Sequence, residues 1–329
     1  MKFLVTGGLG FTGSALVRFL IDKGHSVVSL DTQKGLYYEE FKKKGVEIFL
    51  GSVTDRETVN KCLQGVDGVF HLAAAFRKIN VPQKVYWDVN VEGTRLLCEE
   101  ALKIPTLKKF VYCSTQGVHG DVKILPGDEK SPIACEDYYQ YTKWEGEKVV
   151  TEFVAKGLKS VIIRPMAIYG PGDPERFFHL FKFARKGHFF MFGNGKAFYH
   201  PLYIDNLVES FWLAFESDKT NAEPYLIGDN EYFPIKELVK MIGESMGIQV
   251  KIIHFPFWPI YLLACLVELV CVPLKIPPPI FRRRVEWFKQ NRGFSISKAK
   301  KELGYSPKVD IREGLKKTGE WYLSNGYLK

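Results

Sequence analysis

The sequence of 329 residues contains no C-x-x-C pair. Its six cysteines, Cys62, Cys98, Cys113, Cys135, Cys265 and Cys271, stand singly within apolar runs. This argues against a disulfide framework and a thiolate metal site, and suits reduced core thiols in a cytoplasmic protein. No metal is expected. The chain starts directly with an apolar strand, Lys2–Thr6, and lacks the hydrophobic stretch of a secretory leader, so none is expected. There is no internal repeat. Hydrophobic residues make up 46% and charged residues 25%, which excludes wholesale disorder. A chain this long buries roughly three quarters of its unfolded surface and needs no covalent staple.

Positive charge is in excess. Lys and Arg number 46 against 37 Asp and Glu, a net charge of +9. That balance suits a nucleotide phosphate or an anionic membrane surface, and equally a scatter of solvated lysines. Nucleic acid has only the net charge behind it and is not expected.

The first half alternates short β-branched runs with helical stretches. Strands are expected at Lys2–Thr6, Ser26–Leu30, Val46–Leu50, Gly68–His71, Lys109–Cys113 and Ser160–Ile163. Helices are expected at Ser14–Lys23, Arg56–Leu63, Asp88–Leu102 and Tyr138–Lys156. This rhythm predicts an α/β fold, a Rossmann doubly wound parallel sheet with helices on both faces. After Pro165 the loop Gly170-Pro171-Gly172-Asp173-Pro174 breaks it. Residues 1–170 then form a dinucleotide-binding domain, with a segment near Tyr199–Phe215 returning to the sheet. Residues 171–329 form a smaller C-terminal substrate-binding domain.

Residues 255–274, FPFWPIYLLACLVELVCVPL, carry one charge, Glu268. Pro259 and Pro273 leave a 13-residue run between them, too short for the roughly 20 apolar residues of a spanning helix. Three readings remain: an ordinary buried helix, a cap on an apolar substrate cavity, or a helix lying in a membrane interface. Lys275 and Arg282-Arg283-Arg284 would suit an anionic lipid surface, so peripheral membrane contact through residues 255–284 stays open.

Thr6-Gly7-Gly8-Leu9-Gly10-Phe11-Thr12-Gly13 follows a strand and opens a helix, the context a dinucleotide-binding turn requires. Gly7 permits the tight turn, Gly10 lets backbone approach a pyrophosphate, and Gly13 lets helix pack on strand. The N–H groups of the helix start, Phe11 and Thr12 among them, face the phosphates. Asp31, eighteen residues past Gly13, is placed to accept the ribose hydroxyls of NAD and repel the 2′-phosphate of NADP. NAD is the expected cofactor, with NADP left open by nearby Lys34.

Tyr139 and Lys143 are one helical turn apart and share a face. A free phenol, pKa about 10, is ionised in about one molecule per thousand at pH 7. A neighbouring ammonium lowers that pKa and makes the tyrosine a usable acid or base. Ser114 and Thr115 end the fifth strand, where hydroxyls can orient a substrate oxygen. Their plainer role is to cap the following turn.

The ordered set Gly7-x-x-Gly10-x-x-Gly13, His71-Leu72-Ala73-Ala74, Asn90-Val91-x-Gly93-Thr94, Ser114-Thr115, Tyr139-x-x-x-Lys143, Arg164-Pro165 and Tyr169-Gly170-Pro171-Gly172 resembles the extended short-chain dehydrogenases/reductases over nearly the whole chain. The resemblance implies a catalytic triad of Thr115 (or Ser114), Tyr139 and Lys143. It places Asn90 in shaping the active-site helix, Leu72-Ala73-Ala74 along the cofactor and Pro165 near the nicotinamide. Ser52 and Val53 would lie beside the adenine, with Ser52 standing where the family often has aspartate.

Within that family, epimerases usually carry a pyrophosphate-holding arginine where this chain has Tyr199-His200-Pro201. The apolar insert instead resembles the 3β-hydroxysteroid dehydrogenase branch. A sterol-sized ligand offers several hundred Å² of apolar surface, worth several kcal/mol at roughly 25 cal/mol per Å², and the insert could wall such a site. The expected function is interconversion of a secondary alcohol and a ketone on an apolar small molecule, sterol or long-chain lipid. A nucleotide-sugar epimerase, dehydratase or reductase is the alternative, with Arg282–Arg284 as substitute phosphate clamp. A nucleotide-bound sensor that kept only the fold is the third reading, opposed by the intact Tyr139/Lys143 pair. The helices Asp88–Leu102 and Tyr138–Lys156 resemble the family's dimer face, which implies a homodimer.

Overall fold

The computed structural model describes residues 1–76, 81–173, 176–271, 273–274, 276 and 278–328. Pro174 and Lys275 lie outside the described residues. Seven parallel strands form the central sheet: β1 (Lys2–Thr6), β2 (Ser26–Asp31), β3 (Glu47–Leu50), β4 (Gly68–His71), β5 (Lys109–Cys113), β6 (Ser160–Pro165) and β7 (Asn221–Ile227), in the order β7-β6-β5-β4-β1-β2-β3. The strand order reverses between β1 and β4, the point at which a doubly wound sheet opens a crevice at its carboxyl ends. Register there is set by Phe3 opposite both Val27 and Gly68.

Because side chains alternate along a strand, each strand feeds two cores. Phe3, Val5, Phe70 and Val111 face one side, where they meet Leu16 and Leu20 of helix α1 (Phe11–Asp22) and Phe211 and Phe215 of a later helix. Leu4, Val28, Phe110 and Tyr112 face the other, against Leu97 and Cys98 of α2 (Gly93–Leu102) and Val149, Val150 and Phe153 of α3 (Tyr138–Val154).

Two expectations need correction. The segment near Tyr199–Phe215 does not itself join the sheet. It makes a short strand, Pro201–Tyr203, and helix α4 (Ile204–Glu216), which covers a sheet face; the joining strand is β7, one element later. The helix expected at Asp88–Leu102 is composite, a π-helical turn at Asp88–Glu92 followed by α2. Such a turn rotates the chain ahead of the regular helix, and it places Asn90 wholly inside.

The apolar insert forms helix α5 (Phe257–Cys271), followed by the short α6 (Arg282–Glu286). It is not an ordinary buried helix: Ala264 is its buried residue, while Trp258, Leu262, Leu266 and Leu269 are 61%, 60%, 61% and 72% exposed. Among the described residues no helix is long and apolar enough to cross a membrane.

Candidate active site

The glycine turn is built as its spacing requires. Gly7 has φ +70°, a conformation open to glycine, and its N–H donates to the Leu30 carbonyl at 2.8 Å. A Cβ there would press on the Ala73 backbone N at 2.9 Å. A Cβ on Gly13 would overlap the Gly7 carbonyl oxygen and sit 2.7 Å from Gly8 Cα. Gly10, exposed at the N-cap of α1, offers no side-chain cap, and the first turn, which includes Phe11 and Thr12, holds no acidic residue. A dinucleotide pyrophosphate fits this cradle, because the helix start leaves N–H groups and a positive dipole end.

Asp31 closes β2. One carboxylate oxygen accepts from the Leu9 N–H at 3.1 Å and the other from Thr32 N–H at 2.8 Å, so the acid is tied to the glycine turn. Leu72, Ala73 and Ala74 line the adjoining loop, with Ala73 N–H donating to Thr6 Oγ1 at 3.1 Å. Ser52 is half-buried and paired with Thr54 through their hydroxyls, at 2.7 Å. Val53 is 4% exposed and its side chain belongs to the core. Beside the adenine it can present backbone alone.

Helix α3 carries the acid–base pair. Asp137 caps it, its carboxylate accepting from Gln140 N–H at 2.8 Å, with the Gln140 side chain accepting in return from the Asp137 N–H. That capping box fixes the first turn, where Tyr139 sits half-buried with its ring edge-on to Phe76, centroids 5.0 Å apart. Gly146 lets the helix press onto β5; a Cβ there would meet the Asn90 carbonyl oxygen at 2.7 Å. Lys143 is 1% exposed, its Nζ 4.1 Å from the centroid of the Tyr112 ring. Burial lowers its pKa to about 8, against opposing pulls from Cys113 and Glu147.

Asn90 joins the loop after β4 to this helix. Its side-chain oxygen accepts from Ala75 N–H at 2.8 Å, and its amide donates to the Ala75 carbonyl at 3.2 Å and to Thr142 Oγ1 at 3.0 Å. The two hydroxyls after β5 separate cleanly. Ser114, 3% exposed, donates to the Glu147 carboxylate. Thr115 does cap the next turn, accepting from Gly117 N–H at 3.0 Å, which leaves its own hydrogen to give. Pro165 ends β6, paired in register with Ile227.

Sequence reasoning missed the charges beneath these groups. Glu147 and Arg164, both 2% exposed, pair through two bonds, Nε to Oε1 at 2.9 Å and Nη2 to Oε2 at 2.6 Å. Arg164 Nη1 lies 3.0 Å from Nε2 of His119, whose pKa burial and this guanidinium push down, so the neutral ring accepts. Two signals were available: Glu147 lies four residues past Lys143, and Arg164 interrupts an apolar parallel strand, where a charge needs a partner.

Of the arginines expected as a substitute clamp, Arg282 binds Glu268, Arg283 lies 3.7 Å from Asp137, and Arg284 lies over the Phe281 ring, 4.8 Å from its centroid.

A parallel doubly wound sheet with a glycine cradle at the first strand and a tyrosine and lysine one turn apart defines a nicotinamide-dependent oxidoreductase. The model of the NAD dependent epimerase/dehydratase family matches residues 3–228, and the chain belongs to this family, with NAD as its cofactor. The chain is 32% identical to a 2-alkyl-3-oxoalkanoate reductase of Stenotrophomonas maltophilia, covering 96% of this chain and 98% of that one. It is 30% identical to the mouse (Mus musculus) sterol-4-alpha-carboxylate 3-dehydrogenase, decarboxylating, covering 96% and 90%. In solved structures, a UDP-glucose 4-epimerase of Thermotoga maritima matches with TM-score 0.79 and 26% identity, covering 99% of each chain. The chain is an NAD-dependent dehydrogenase/reductase of the extended short-chain class.

Proposed function

We propose that the chain interconverts a secondary alcohol and its ketone on an apolar substrate of sterol or long-chain lipid type. His200 carries the reading. It occupies the place before strand Pro201–Tyr203 where epimerases hold a pyrophosphate with arginine. Here burial drives its pKa to about 4, and the ring bonds the Asp229 carbonyl at 2.8 Å and the Phe294 N–H at 3.4 Å. A neutral, fully engaged imidazole offers a diphosphate nothing. Full-length relatives named for a sterol carboxylate and an alkyl-oxoalkanoate support the same choice.

In this reading NAD supplies the hydride acceptor or donor. Tyr139 takes or gives the proton at the substrate oxygen, and Thr115 donates a hydrogen bond to that oxygen. Lys143, mostly protonated at pH 7, stabilises the phenolate and holds the nicotinamide ribose. Asn90 keeps the helix turn bearing them against the cofactor loop, and Ser114, committed to Glu147, supports Thr115 from behind. The glycine turn and Asp31 bind the dinucleotide, and residues 171–329 bind the substrate. The α2 and α3 faces bearing Arg95 and exposed Tyr141 form a homodimer contact.

Tyr139→Phe should lose about 10²–10⁴-fold in turnover while NAD affinity is kept; unchanged turnover overturns the assignment. One observation favours a nucleotide-sugar substrate instead. Arg292, bridged in sequence register to Tyr199, has a buried Nε without a partner, although its Nη2 reaches Glu136 at 3.2 Å. Thermal unfolding with NAD plus a sterol or a UDP-sugar decides: stabilisation by the UDP-sugar alone rejects the lipid reading.

A further inference from the structure

Helix α5 has two unlike sides. Inward, Ala264 is buried, the Tyr261 hydroxyl donates to Glu286 at 3.2 Å, and the Glu268 carboxylate takes both the backbone N–H of Arg282, at 2.7 Å, and its guanidinium. Outward, Trp258, Leu262, Leu266 and Leu269 recur at helical spacing, widened by Leu263 and Val270, which are also exposed. No polar side chain stands among these six. Soluble surfaces scatter such residues singly. Here they are contiguous.

The surroundings are basic. Between residues 255 and 289 five Lys or Arg face two Glu, and both glutamates are already paired, Glu286 with the Tyr261 hydroxyl and Glu268 with exposed Arg282. Arg283, Arg284 and Lys289 are exposed, and the Lys289 ammonium lies 4.8 Å from the centroid of the Trp258 ring, at the margin of the apolar face. Fifteen residues at ~1.5 Å each give a length of about 22 Å, short of the roughly 30 Å hydrocarbon core. The helix is shaped to lie in a bilayer surface, not to cross it.

We propose that α5 docks this chain on an anionic lipid surface, its Trp258–Val270 face among the acyl chains and Arg283, Arg284 and Lys289 at the headgroups. Burial of six large apolar side chains drives it, and the cations select anionic lipid. The apolar face, whose one hydrogen-bonding group is the Trp258 indole N–H where protein interfaces carry many, and its basic margin together favour lipid over a second copy of the chain. Arg283 also reaches Asp137, the cap of α3, so docking brings the neighbourhood of Tyr139 to the lipid. Delivery of substrate from the bilayer rests on the proposed function above; docking itself does not.

The test is cosedimentation of the full chain with phosphatidylcholine vesicles, with and without phosphatidylglycerol. The wild type should pellet with the anionic vesicles, less so at high salt. Leu262→Gln/Leu266→Gln/Leu269→Gln should lower binding at least about tenfold, and Arg283→Glu/Arg284→Glu should remove the preference for phosphatidylglycerol. Unfolding temperature should stay unchanged in the leucine variant, since its side chains already face outward. Wild type remaining in the supernatant, or a leucine variant that binds equally, overturns the proposal. So does a leucine variant that turns an oligomer into a monomer without changing vesicle binding, because the face then joins copies of the chain. No turnover is needed, so this result and that of Tyr139→Phe fail independently.

Discussion

The Glu147–Arg164 pair offers the sharpest test of the packing under the site. Replacing Glu147 with Met leaves the guanidinium 2% exposed, with only the neutral His119 ring at 3.0 Å and the Trp144 ring face at 5.7 Å beside it among the described residues, and removes the acceptor of the Ser114 hydroxyl. Leaving one member of a buried ion pair alone costs about 3–5 kcal/mol, a large part of a total stability of roughly 5–15 kcal/mol. Arg164→Met should cost a similar amount by stranding the carboxylate. The double variant should recover most of that loss, because two unpaired charges are replaced by apolar side chains. Urea unfolding of the four proteins gives the coupling energy directly. If Glu147→Met costs less than about 1 kcal/mol, the value of an exposed pair, or if the two losses simply add, the pair is hydrated and the argument fails.

Other outcomes follow from the same geometry. Lys143 titrates at about 8 in the folded chain and near 10.4 when unfolded. The unfolded chain therefore holds more protons between those values, so stability climbs as pH rises from about 8 to about 10, and the burial penalty is complete below about 8. The stability of wild type relative to Lys143→Met should thus rise by up to about 3 kcal/mol from pH 7 to pH 10.5; a flat difference in urea unfolding refutes the burial. Gly13→Ala, whose Cβ would strike the Gly7 carbonyl, should destabilise by about 1–3 kcal/mol and weaken NAD binding by calorimetry. Equal affinity in the variant would mean the cradle tolerates a side chain.

Local chemistry was readable because it depends on neighbours in the chain. β-branched runs separated by helical periods produced the parallel sheet, three strands with the expected limits, and the glycine spacing produced the turn at the end of β1. The four-residue offset put Tyr139 and Lys143 on one helix. The strand that completes the sheet, β7, escaped because its place beside β6 is set by 55 residues of intervening chain (166–220) and by a register shift at Asn221/Pro224, which no short-range pattern encodes.

What the sequence settled alone is thus whatever one turn or one strand decides: the cradle, the acid–base spacing, and the twenty nearly uncharged residues of the insert. Tertiary structure decided which hydroxyl after β5 is committed, since Glu147 arrives from another element to claim Ser114. It also neutralised His200 by burial and turned the α5 leucines outward. Each of these outcomes depends on solvent access and on partners distant in the chain, and neither is a property of a residue and its immediate neighbours.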